Sequence, residues 1–354
     1  MSLTISIPDT LRKSVEAASL GQNTVLYTAK GQPCYMAVVP KFTLQSIDAS
    51  LGTGTHPAFV VDGVEKSYLY LGQHIGHSRN GEMLSLPGVD PINTITHDAA
   101  VALARANGTG WHAMNNIEWA AMALWCWKNG TQPRGNTAHG RSSDVTTELG
   151  VRSDGAIVTG SSIGSQGRTL TGSGPTSWRH NNTPFGMADL NGNVNEWAPG
   201  ARLNLGEVNI IVNNNAALNA TDMAAGSASW QAIDGATGAL VAPGSAGTVK
   251  FATSGTTAYT LVRGSGSSFQ GITNPSGTPV SAAALTLMKA YGLYPIAGSG
   301  LGGDAIYLNA GIEALAIRGG NWGDGLAAGV FILALNYARS DSGPSFGARP
   351  AFVL

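Results

Sequence analysis

Charge is scarce in this 354-residue chain: Asp, Glu, Lys and Arg make up 12% of it, about half the ~25% usual for soluble domains. Net charge is −1 and no Lys/Arg stripe is present, which argues against nucleic-acid binding driven by phosphate contacts. Only two cysteines occur, Cys34 and Cys126, far apart in sequence. They read as two buried free thiols rather than a disulfide framework. No stretch approaches the ~20 apolar residues that span a bilayer. Residues 1–13 lack the apolar centre of a signal peptide. We therefore expect no membrane insertion and synthesis in the cytoplasm. After Trp322 the chain contains no Lys, Glu, Gln, Met or Trp. A catalytic tail would concentrate reactive side chains, and this one does not.

What is abundant is glycine, 48 residues, roughly double average usage. With Ser, Thr and Asn it points to a loop-rich fold with a neutral polar surface. Residues 1–50 read as an N-terminal adaptor: a strand over 2–7, a helix over 11–18 capped by Asp9 or Thr10, and strands at 25–27 and 35–39. Residues 51–354 read as one α+β domain. Segments 58–61 and 66–72 are expected to form a hairpin about Asp62-Gly63. Helices are expected over 97–106 and 115–128. The second carries Ile117, Ala120, Ala121 and Leu124 on its apolar face and stops at Asn129-Gly130. Residues 131–182 lack periodicity, and a loop that long is functional or structurally pinned. Residues 201–300 read as an insertion, with strands at 208–212 and 257–262 and a helix at 281–291. Segments 314–317 and 330–335 are closing strands. Alternation in the last sends Phe331, Leu333 and Leu335 inward and Val330, Ile332 and Ala334 outward.

Three segments stand out: GWHAMNNIEWAA (110–121), NTPFGMADLNGNVNEW (182–197), and RGGNW (318–322) followed by GARP (347–350). Gly186 and Gly192 suit tight turns or positive φ. Asn193 and Glu196 can tie loop backbone together, directly or through a cation. Trp119, Trp197 and Trp322 supply apolar area to a fold poor in regular structure. Arg318 and Arg349 can clamp carbonyls or carboxylates with planar forks. All these roles are structural.

Together and in this order, the segments resemble the formylglycine-generating-enzyme type of C-type lectin fold over roughly residues 55–354. The resemblance implies a loop-rich α+β fold. The enzyme branch needs cysteines in the C-terminal half, and this chain has none there. The iron-dependent relatives need an upstream His-rich domain, and the first 50 residues lack histidine. We expect no catalytic residues and no enzyme activity. The resemblance allows one cofactor, a structural calcium at Asn193 and Glu196. His74, His77, His97, His112, His139 and His180 are scattered and read as structural.

The tail also resembles the variable region of proteins diversified by retroelements, including phage tail-tip receptor-binding proteins of the major tropism determinant kind. The shared frame here is 318–322, Gly325, 328–331, Leu333, Leu335, 338–340, Gly347 and 349–352. That family randomises adenines. Asn codons ending in a pyrimidine then cannot yield Lys, Glu, Gln, Met or Trp, the set missing from this tail. The implied contact residues are Gly323, Asp324, Leu326, Ala327, Ile332, Ala334, Asn336, Tyr337, Asp341, Gly343, Pro344, Ser345 and Ala348, with Tyr337 as anchor. The resemblance implies a phage tail-fibre tip on the virion that binds a host-cell surface protein or glycan. Its other partners would be tail proteins, and a homotrimer suits such a tip. The alternatives are a variable protein displayed on a bacterial cell surface and, against the cysteine placement, a sulfatase-modifying-type enzyme.

Overall fold

The computed structural model describes residues 9–161, 166–255 and 257–353, apart from the Ser265 side chain. The strand expected over 2–7 lies outside them. Helix Thr10–Ala18 starts at Asp9, whose carboxylate accepts the Arg12 N–H at 3.0 Å. This satisfies one of the unpaired donors at a helix start.

With two short two-stranded hairpins beside them, two large sheets carry most of the α+β body. The smaller orders Asn23–Tyr27, Pro33–Pro40, Tyr68–Gly72, Pro350–Phe352 and Trp111–Ala113, all antiparallel. Ala351 pairs with Leu71 on one side and His112 on the other. The boundary expected near residue 50 therefore does not separate two bodies: the first strands share a sheet with the last. Buried Val25, Cys34, Met36, Ala37 and Val39 need that cover. The expected hairpin is shorter than its sequence signal. Val60–Val61 pairs with Val64–Glu65 about Asp62-Gly63, whereas Tyr68–Gly72 lies between two other strands and has both edges hydrogen-bonded.

The larger sheet is built on Asn195–Asn204, Glu313–Gly319 and Gly329–Tyr337, side by side and antiparallel. Ile306–Leu308 adds to the far side of Gly329–Tyr337 in parallel register. On the other side follow Glu207–Ile211, Trp230–Ile233 and Leu240–Val241. The stretch 201–300 is thus not an excursion from the domain. It extends the main sheet and sends Phe251, Leu261 and Phe269 into the main core, where Phe269 stacks on Phe331 at 6.2 Å.

Helix Asn116–Asn129 runs through the centre. Asn115 and Glu118 form a reciprocal capping box, and Gly130 ends the helix at φ 65°. More of it is buried than one apolar face. Trp119, Met122, Ala123 and Cys126 are also enclosed, because strands 195–204 and 329–337 and helix Ala282–Ala290 all pack on it. Cys34 and Cys126 are free and buried, and burial pushes the Cys34 thiol up to about 12.

Candidate functional site

The frame of the tail is a set of buried clamps. Arg318 is 1% exposed. Its guanidinium donates to Asn116 Oδ1 from Nε at 3.0 Å and Nη2 at 2.7 Å, and to the carbonyls of Gly292 and Ile332. Burial with no carboxylate in contact disfavours its charge. Arg349 meets Glu196 in a two-pronged pair and also donates to the Gly72 and Ala188 carbonyls. One side chain thereby ties three distant segments. The tryptophans are pinned as well: Trp119 Nε1 donates to the Val330 carbonyl and Trp197 Nε1 to that of Ile95, at 2.8 and 2.9 Å.

Asn193 and Glu196 tie loops directly. Asn193 Oδ1 accepts the Thr169 N–H at 2.9 Å, and Nδ2 donates back to the Thr169 carbonyl at 3.1 Å. Both Glu196 oxygens are engaged by Arg349. A calcium at these two residues, which the resemblance allows, would meet side chains already committed to protein partners. Among the described residues, no group of three His, Cys, Asp or Glu could hold a metal ion. Gly192 brings these loops together at φ 75°, where a Cβ would collide with the Asn136 carbonyl.

The contact residues expected from sequence divide into two sets. Ile332, Ala334 and Ala348 are 2%, 4% and 0% exposed, so their expected outward placement is corrected. The reason is position. Strand Gly329–Tyr337 is paired on both edges and covered on both faces, and such a strand buries successive residues rather than alternate ones. Ala334 and Ala348 pack in a second core with Trp197, Ile317 and Phe346.

The remaining ten lie in two loops and at the end of that strand. Gly323, Leu326 and Pro344 are exposed, Leu326 to 61%. Asp324, Ala327, Asn336, Tyr337, Asp341, Gly343 and Ser345 are partly exposed. The first loop is shaped by Asp324, whose carboxylate accepts the backbone and side-chain N–H of Asn321, both at 2.8 Å. Burial raises the Asp324 pKa and these hydrogen bonds oppose the rise. The second loop turns on Asp341, which accepts the Ala338 N–H. Tyr337 stands edge-on against Phe346, centroids 4.8 Å apart.

Arg168 joins the two loops. Its guanidinium lies 5.9 Å over the Trp322 ring, donates to the Pro344 carbonyl, and pairs with both Asp90 oxygens at 2.9 and 3.0 Å. Tyr307 lies on the parallel strand beside Tyr337. The hydroxyl pKa of each is raised, chiefly by burial and further by the charge of Asp324. Arg168 and Tyr307 were not foreseen from sequence. A parallel neighbour leaves no turn signal to find, and Arg168 sits in an aperiodic loop.

No protein-family model matches the chain. No curated protein matches it either. Among solved structures it is similar to Treponema denticola variable protein 1, at 12% identity over 93% of this chain and 98% of that one, with TM-score 0.35. It is also similar to PvdO from Pseudomonas aeruginosa, at 14% identity over 94% and 98%, with TM-score 0.34.

Proposed function

We propose that this chain is a non-enzymatic receptor-binding protein of the C-type lectin kind, with a C-terminal surface diversified by a retroelement. The carrying observation is the division within the tail. Most residues of the shared frame are buried, Asn321, Gly325, 338–340 and Phe352 being the exceptions, while most of the departures from it occupy two loops that are exposed or partly exposed. Exposed substitutions on a rigid support typically change stability by less than about 0.5 kcal/mol. The two loops can therefore change identity while Arg318, Trp322 and Arg349 hold their shape. Tyr337 supplies a rigid aromatic contact, and Leu326 an apolar one.

Within this reading the protein is a phage tail-fibre tip on the virion. It binds a protein or glycan of the host-cell surface, docks on other tail proteins and works as a homotrimer, since repeated weak contacts gain strength through avidity. The test is the neighbouring DNA. A near-identical copy of the 3′ end, differing at adenines and lying beside a reverse-transcriptase gene, is the expected result. Sibling genes that differ evenly along their length would overturn the reading.

A further inference from the structure

A cleft of about 240 Å³ opens beside the first tail loop. Its wall comes from the start of the long loop, Asn191, the Gly302–Asp304 turn, and residues 325–330. Three charged side chains line it: Arg134, Asp144 and Asp304. Arg134 is already neutralised, since its Nε donates to Glu148 at 2.9 Å and Nη2 reaches the other oxygen of the same carboxylate. Asp144 also feels the Arg134 charge, whereas Asp304 has no cation among the causes of its shift.

Asp304 is 6% exposed. One oxygen accepts the Phe331 N–H at 2.6 Å. The other lies against Gly302 and Gly329, where a Cβ would crowd or strike the carboxylate. Those glycines keep the space next to it clear. Burial, with the charge of Asp144 in support, raises its pKa to about 8, so without a counter-ion the group holds a proton near neutral pH and would release it when a cation binds. An independent sign comes from Asn191. It lines the same cleft at 8% exposure, its Nδ2 donates to the Pro133 carbonyl at 2.9 Å, and its Oδ1 has no partner. A buried acceptor left unsatisfied is costly unless something donates to it.

We propose that this cleft is a fixed subsite for a primary alkylammonium group, of the kind a lysine side chain carries, donating to Asp304 and Asn191 with Asp144 at the rim. An ammonium carries three N–H donors and a positive charge, which matches two carboxylates and one amide oxygen. Leu326, exposed at the mouth, gives the methylene stem an apolar surface to lie along. The subsite deepens the receptor-binding reading and rests on it for the identity of the occupant. It would place a polar element built on Asp304 and Asn191, both outside the diversified set, beside the variable loop, with Leu326 of that loop tuning the stem contact.

The test is ligand-observed NMR on the full chain, with n-butylammonium, Nα-acetyl-lysine methylamide, glucosamine and neutral n-butanol as probes. We expect saturable binding of both alkylammonium probes at millimolar concentration and none of n-butanol. Asp304→Asn should weaken binding by about tenfold or more, the usual worth of a charge-assisted hydrogen bond. Should that variant fail to fold, Asp144→Lys, on an exposed residue, should weaken it comparably by placing a competing cation at the mouth. No binding by the wild type, equal binding of n-butanol, or affinity unchanged by both substitutions would overturn the proposal. So would displacement of the probe by calcium at equal concentration. Glucosamine binding more tightly than n-butylammonium would contradict the role given to Leu326. Receptor binding lost on changing the tail loops, without any ammonium binding, would remove the subsite and leave the receptor reading standing. Ammonium binding with tail loops irrelevant to receptor capture would do the reverse.

Discussion

Arg349 and Glu196 face each other as a two-pronged ion pair, Nε to Oε2 at 3.0 Å and Nη2 to Oε1 at 2.7 Å, with both residues at most 2% exposed. The pair joins the residue just before the last strand, Pro350–Phe352, to strand Asn195–Asn204 of the larger sheet. Removing one partner leaves a buried charge uncompensated, which typically costs about 3–5 kcal/mol. Arg349→Ala and Glu196→Gln should each lower the denaturation midpoint strongly. The double variant Arg349→Met/Glu196→Leu should lose much less than the two single losses combined, because no charge is then stranded. Additive losses in chemical denaturation would contradict the clamp.

The buried and exposed halves of the tail should answer differently to one substitution. Ile332→Asn places an amide inside a sheet covered on both faces and should cost about 2–4 kcal/mol. Ser345→Asn, in a partly exposed loop, should stay within about 0.5 kcal/mol. Thermal melts of the two variants check this. Equal losses would mean the loops are not the tolerant surface.

Asp304 gives a pH signature. Its folded pKa is about 8, against ~3.9 for an unfolded Asp. Folding thus favours the protonated form. The stability this supplies is fully present below pH ~4 and is lost as pH rises through about 8. Wild-type melting temperature should fall between pH 5 and pH 9 by more than that of Asp304→Asn, which has no proton to lose. Parallel pH profiles would contradict the assignment.

Arg168 is the bridge between the two loops, through Trp322, Pro344 and Asp90. Arg168→Ala should speed hydrogen exchange at residues 341–346 and 321–325 together, with slower change in the central helix. A change confined to one loop would show that the bridge does not couple them.

Much of the fold was legible because local signals were strong. Asp9, one of two caps expected for the first helix, caps it; helices stand where 115–128 and 281–291 were expected, starting from caps at Asn115 and Ser281, and Gly130 stops the central helix as its sequence implies. The clamps Arg318 and Arg349 follow from the fork chemistry of arginine in an apolar context. What was not legible is set by non-local pairing. Ile332 and Ala334 alternate with core residues in sequence, yet the neighbours that bury them, 306–308 and 313–319, leave no local mark. The six apolar residues running from Val330 to Leu335 were the available hint of a strand covered on both faces. The same blindness hid the joining of the first strands to the last, and the building of 201–300 into the main sheet.

The central claim is that the exposed tail loops choose the ligand while the frame holds the fold. The most direct measurement replaces Gly323, Leu326, Ala327, Pro344 and Ser345 together with other residues reachable from Asn codons, then compares thermal stability and binding to a panel of bacterial cells. The account predicts a melting temperature close to wild type and a changed set of bound cells. Unchanged binding across the panel, in a variant that folds normally, would contradict it.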